Sequence, residues 1–330
     1  MAVTITIIGL GQIGASVGLG LQEHTALITR CGFDLDSSIC QKAAKTGALD
    51  KTFRDLSQAV SAADLVLLAL PVDQIRLTLE QITSHLKAGA VVMDTAPAKG
   101  AVARWAAELL PQGCEYIGLL PVINPDYLLT IDSGLGAAQY DLFVNTPMLI
   151  AAPPGASSSA IRHAADLARL LGAAPLFAEV AEMDSLMAST HILPQLMAAA
   201  LINATTDQPG WQEGRKLAGR PYAEATAPLS LMGSPESLSR AAVLNAEDTL
   251  RAIDTLIASL QRIRSDIASQ DNDALRQRLE RARSGHERWW QERLSAEWNT
   301  EIPKSNELPE RPDFFGMLLG SRKPKKPKNS

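Results

Sequence analysis

The sequence predicts an α/β fold: a doubly wound parallel sheet in the first half, followed by an all-helical second domain. Three observations predict it. Short β-branched or apolar runs alternate with amphipathic stretches up to about residue 181, the first run leads into a glycine-rich turn, and no strand-like run follows. Strands separated by helices of about 10–15 residues pair in parallel through right-handed crossovers.

Val3–Ile8 is β-branched and apolar, as suits a strand buried on both faces. Gly9 to Gly14 makes a turn, and a helix begins over Ala15–Leu21. A second strand ends near Phe33 and Asp34. Ala63–Leu70 is a third strand stopped by Pro71, and Ala90–Asp94 and Tyr116–Leu120 are two more. Met148–Ala152 and Pro175–Val180 flank a helix over Ser157–Leu171. From Glu182 onward only helical periodicity remains, in Asp184–Thr205, Ser237–Ile263 and Asn272–Ser295. The expected domains are 1–181 and 182–298, with a disordered basic tail over 299–330 that ends in RKPKKPKNS. That tail is either a solvated end or a contact for nucleic acid or an acidic surface, the solvated end being the expectation.

At 330 residues, with 46% hydrophobic and 20% charged residues, the chain has material for two cores. A net charge of −5 argues against nucleic acid as the partner. Three cysteines without metal-ligand spacing read as reduced thiols in a cytoplasmic protein. Glycines interrupt the apolar N-terminus, and no run approaches the roughly 20 apolar residues of a membrane span.

Gly9-Leu10-Gly11-Gln12-Ile13-Gly14 matches G-x-G-x-x-G between a strand and a helix, with Asp34 about 20 residues beyond. This predicts a Rossmann domain that binds a nicotinamide dinucleotide. Gly9 permits the turn, Gly11 admits the pyrophosphate, and Gly14 lets helix and strand pack. Gln12 and Ile13 sit at the helix N-terminus, whose N–H groups and dipole attract phosphate. Leu70 and Pro71, at the end of the third strand, join the cofactor-binding candidates. Asp34 suits the ribose hydroxyls and repels a 2′-phosphate; no Arg or Lys follows it closely, so NAD is favoured and NADP stays possible.

Several segments, read in order, resemble the prephenate/arogenate dehydrogenase family of tyrosine biosynthesis. Gly9–Ser16 resembles its GLGLIGGS opening and Gly47–Asp50 its G-x-x-D. Asp94–Gly100 stands where the family has D-x-G-S-x-K, and Asp141–Pro153 resembles the stretch before its sixth helix. Glu182–Pro194 resembles its E-x-H-D…A-x-x-S-H-L-P. The resemblance runs from residue 3 to about 295. It implies hydride transfer from a cyclohexadienyl acid to NAD(P)+ with loss of CO2, a small carboxylate substrate, and a homodimer built through the helical domain. The β-hydroxyacid dehydrogenases fit less well, because Asp184–Thr205 lacks their catalytic lysine.

This chain departs from the pattern where the family does its chemistry. Leu120 occupies the place of the catalytic histidine, and Pro97 that of a serine near the nicotinamide. Ala223 and Ala227 replace two arginines, one of which grips a substrate carboxylate. The same dehydrogenase fold with a different carboxylated substrate, or an inactive NAD-binding sensor, therefore remains open.

His191 matches the family's second histidine and is the catalytic candidate; the alternative is a core histidine. Lys99 either faces the cofactor or is a surface charge. Arg215, Lys216 and Arg220 offer a relocated carboxylate clamp or an exposed basic loop. Asn124 and Asp126 are either pocket contacts or turn formers. Trp289 and Trp290 read as core or dimer-interface aromatics.

Overall fold

The computed structural model describes residues 2–296 except Ile131 and Met232, so the expected basic tail lies outside the described residues. Eight strands form one sheet: β1 Val3–Ile8, β2 Ile28–Phe33, β3 Lys51–Thr52, β4 Leu65–Leu68, β5 Val91–Asp94, β6 Glu115–Pro121, β7 Pro147–Ala151 and β8 Ala174–Phe177. Their order is β3-β2-β1-β4-β5-β6-β7-β8. The chain reverses its direction of growth beside β1, whose neighbours are β2 and β4. That switch point opens a crevice at the carboxyl ends of β1 and β4, where ligands of such sheets bind.

The helices between strands are α1 Gln12–Gly20, α2 Ser37–Lys45, α3 Leu56–Val60, α4 Val72–Ile82, α5 Lys99–Leu109 and α6 Ser158–Leu170. Strand alternation divides the core between the two faces of the sheet. In β4, Leu65 and Leu67 join the cluster under α1 and α6, whereas Val66 and Leu68 join the one under α4 and α5. Arg30, 3% exposed, donates to the Gly18 and Gly47 carbonyls at 2.8 Å and pairs with Asp50 at 2.7 Å. The Gly47–Asp50 segment thus serves as a buried guanidinium socket.

The sheet is not wholly parallel, as the alternation of elements had suggested: β6 and β7 run antiparallel. Between them the described residues make two 3-10 turns, Pro125–Tyr127 and Gly134–Ala137. Without a crossover helix the chain re-enters the sheet from the end it left.

The helical part comprises α7 Val180–Met187, α8 Leu193–Thr206, α9 Trp211–Leu217, α10 Arg220–Thr226, α11 Pro228–Leu231, α12 Pro235–Leu244, α13 Ala246–Ala268 and α14 Asn272–Ser295. Ile192 and Ala241 enter the cluster under α4 and α5, which docks this part on the sheet domain. The helix expected over Ser237–Ile263 is broken at Asn245, whose side chain leaves the helical pattern to donate to the Asp184 carbonyl at 2.7 Å. A five-residue π-turn, Ala188–Ile192, fuses α7 and α8. The resulting helix, Val180–Thr206, contains an 18-residue window of mean hydropathy 1.4 and is long and apolar enough to cross a membrane, by length and composition only. No run of this kind was expected from the sequence. Only 17% of its apolar window is buried.

Candidate active site

The glycine-rich turn sits at the switch point. Gly9 has φ +89°, and a Cβ there would lie 2.4 Å from the Ala69 carbonyl oxygen and 2.8 Å from Leu70 Cδ2. A Cβ on Gly14 would lie 2.0 Å from the Gly9 carbonyl oxygen. Both glycines are demanded by close backbone approach. Gly11 differs: a Cβ there meets nothing within 4 Å, and the residue caps α1 without a side-chain bond. The first turn of α1 carries no acid. Helix geometry leaves the leading N–H groups without intrahelical acceptors, so this end is open to an anion and fits a dinucleotide pyrophosphate.

Asp34 holds the turn from the side. Its Oδ2 accepts from Leu10 N at 2.9 Å and its Oδ1 from Asp36 N at 3.0 Å, with lone pairs left on both oxygens. Gln12 turns away, its Nε2 donating to the Ala137 carbonyl at 3.3 Å. Ile13 packs on the core, and Leu70 and Pro71 carry β4 into α4 beside Gly9.

Lys99 is not on the surface, which corrects the reading of it as a surface charge. It has no solvent exposure and donates to Asp94 Oδ2 at 2.8 Å and to the Asp94 carbonyl at 2.9 Å. The Tyr116 hydroxyl donates to Asp94 Oδ1 at 2.5 Å, and Ala96 N to Oδ2 at 2.7 Å. Burial drives the Lys99 pKa down and the Tyr116 pKa well up, and Asp94 adds to the rise of Tyr116. This network fixes the root of the loop over residues 95–98, which carries Pro97.

Pro97 and His191 face each other across a cleft of about 80 Å³, lined also by Gln195, Ser234 and Ser237. Surrounding protein strips water from the imidazole and lowers its pKa. His191 is not a core residue, since its side chain opens to the cleft. Its neighbours Ser189 and Thr190 donate to backbone carbonyls one turn back, and Gln195 donates to the His191 carbonyl at 2.9 Å. His191 lies inside the π-turn next to Ile192, which has no exposure.

The remaining candidates do not gather around this cleft. Leu120, at the end of β6, packs against Leu149, Ala151 and Met183. Asn124 forms a turn, its Oδ1 accepting from Asp126 N at 3.2 Å. Arg215 and Arg220 lie on α9 and α10 rather than a loop; both are exposed, and Arg220 pairs with Glu224 at 2.7 Å. Trp289 is 47% exposed, which removes it from the core of this chain, and packs beside Trp290.

Sequence reasoning passed over Asp184. Its carboxylate accepts from Lys99 N at 2.6 Å and Gly100 N at 2.9 Å, capping α5 from the helical part. A signal existed: Asp184 precedes His191 by about two helical turns, so both fall on one helix.

Known proteins share this architecture. The chain matches "Prephenate dehydrogenase, nucleotide-binding domain" over residues 17–175 and "Prephenate dehydrogenase, dimerization domain" over residues 179–281. The cyclohexadienyl dehydrogenase of Zymomonas mobilis is 26% identical over 276 residues, covering 82% of this chain and 90% of that protein. The prephenate dehydrogenase of Bacillus subtilis is 24% identical, covering 82% and 72%. Synechocystis arogenate dehydrogenase superposes with TM-score 0.68 at 25% identity, over 87% of this chain and 99% of that one. The A. aeolicus prephenate dehydrogenase, solved with hydroxyphenyl propionate and NAD+, gives TM-score 0.77 at 18% identity, over 87% and 98%. With the two matches covering both halves of the fold, the chain belongs to the prephenate dehydrogenase family.

Proposed function

We propose that this chain is an NAD-dependent dehydrogenase of a cyclohexadienyl carboxylic acid, working as a homodimer, with His191 as its base. The observation that carries the reading is that His191 and the Pro97 loop line one cleft in a chain whose Gly11 turn leaves a helix N-terminus open to phosphate. Gly9, Gly11 and Gly14 shape the pyrophosphate site, and Asp34 takes the ribose hydroxyls and disfavours a 2′-phosphate. When bound, NAD+ supplies the acceptor for the hydride. His191 is neutral at neutral pH, so Nδ1 or Nε2 can take the ring hydroxyl's proton as the hydride leaves the carbinol carbon. The electron pair of the ring C–CO2 bond then aromatises the ring as CO2 departs, and the imidazole returns the proton to the phenolic oxygen. The reduced thiols of Cys31, Cys40 and Cys114 fit a cytoplasmic setting.

One observation favours a second reading, the same dehydrogenase fold with a different carboxylated substrate: Leu120 sits in an apolar cluster, and neither Ala223 nor Ala227 offers the cation that prephenate or arogenate would meet in the family pattern. The test is to mix the protein with NAD+ and prephenate or arogenate and follow the absorbance of reduced cofactor. Turnover that His191→Ala abolishes is expected. Silence with NAD+ bound would overturn the assigned substrates and leave the second reading.

A further inference from the structure

An ordinary helix cap is local: the residue just before the first turn accepts its N–H groups. At α5 that residue is Ala98, which has no side chain able to do so. The cap arrives instead from Asp184, 85 positions along the chain from Lys99. Room is made for it, since a Cβ on Gly100 would lie 2.7 Å from Asp184 Oδ2. Asp184 is held from behind too, its carbonyl accepting from Asn245, which is 6% exposed. On one side of this clasp lies the loop over residues 95–98, rooted in Asp94; on the other, His191 follows on the same continuous helix.

We propose that Asp184 is a positioning residue for the reaction, its clasp on α5 setting how His191 stands against the loop that carries Pro97. The inference rests on reading that cleft as the substrate site. A displacement of about 1 Å at a reacting group can cost about 10²-fold in rate, so a small change in this clasp is enough to be measured.

Two variants disturb the same contact from opposite sides. Asp184→Asn keeps the shape but turns one acceptor into a donor facing an N–H. Gly100→Ala keeps every hydrogen-bonding group, but its methyl group pushes the carboxylate away. Circular dichroism and size exclusion identify the folded variants. Each is then read by kcat, by the Kd for NAD+, and by the His191 imidazole NMR resonance, assigned with His191→Ala.

We expect kcat to fall about 10- to 100-fold, an unchanged Kd for NAD+, and a displaced His191 resonance in both variants. A merely structural cap would lower the melting temperature and leave kcat and the resonance in place, which overturns the proposal. If the unaltered protein shows no turnover, the reaction assigned above falls and the resonance alone decides: displaced, the clasp stands; unmoved, it fails.

Discussion

Lys99 and Asp94 form an ion pair 2.8 Å long in which neither side chain has any exposure to solvent. Removing one partner of such a pair strands a charge in the interior and typically costs about 3–5 kcal/mol. Lys99→Met should therefore lower the urea midpoint sharply, because Ala96 N and the Tyr116 hydroxyl alone cannot neutralise Asp94. Adding Asp94→Leu should recover part of the loss. A shift below about 1 kcal/mol for Lys99→Met would refute the view that the pair anchors this loop.

Gly11 and Gly9 should respond oppositely to a methyl group. Gly11→Ala meets open space, so the fold should persist while the added methyl intrudes where phosphate approaches. Loss of one or two charge-assisted hydrogen bonds, at about 1.5–3 kcal/mol each, predicts NAD+ binding at least about tenfold weaker by fluorescence titration. Gly9→Ala should damage stability itself, since its φ of +89° and the Ala69 carbonyl oxygen exclude a side chain.

The His191 imidazole is held below its ordinary pKa by the loss of water around it. A base must be unprotonated, so the acid limb of kcat/KM should lie below the usual imidazole value of about 6.5. The linkage has the same direction. Between about pH 6.5 and the lower folded value the unfolded chain binds more protons, so this group costs stability as pH falls. A limb at or above 6.5 that survives in His191→Gln would remove His191 from the role of base.

On α13, Leu250, Ile257, Leu260 and Ile267 are each 45–60% exposed. They recur at the spacing of a heptad seam, and the region matches a family dimerization domain. Leu260→Glu should convert a homodimer into monomers or aggregates in size exclusion with light scattering. A mass equal to that of the unaltered protein would place the interface elsewhere.

The sheet domain was legible because a period of two and the glycine turn are written in adjacent residues. The antiparallel β7 was not, since strand direction depends on which end of the sheet the connection returns to. Asn245 looked like one polar residue in an amphipathic run, and only the Asp184 carbonyl waiting for it explains the break. The cofactor turn could be read directly, whereas Lys99 could not: a lysine's burial follows from a partner such as Asp94, and sequence spacing alone does not show it. The spacing of Asp184 from His191 puts the two on one helix, but its cap on α5 comes from 85 positions away and leaves no local signature.

The π-turn over Ala188–Ile192 acts as a phase shifter. An α-helix advances about 100° per residue, so the extra residue in this turn sets the facing of α8 against that of α7. Asp184 can aim at α5 while Ile192 enters the core and His191, its neighbour, opens to the cleft. Deleting a single residue between Ala188 and His191 would restore regular winding. It would also rotate one half of the helix against the other, bringing a new side chain to the cleft without altering any other residue. A change in which side chain faces the cleft is thus one deletion away in this chain, a shorter route to a different lining than rebuilding the cleft one side chain at a time.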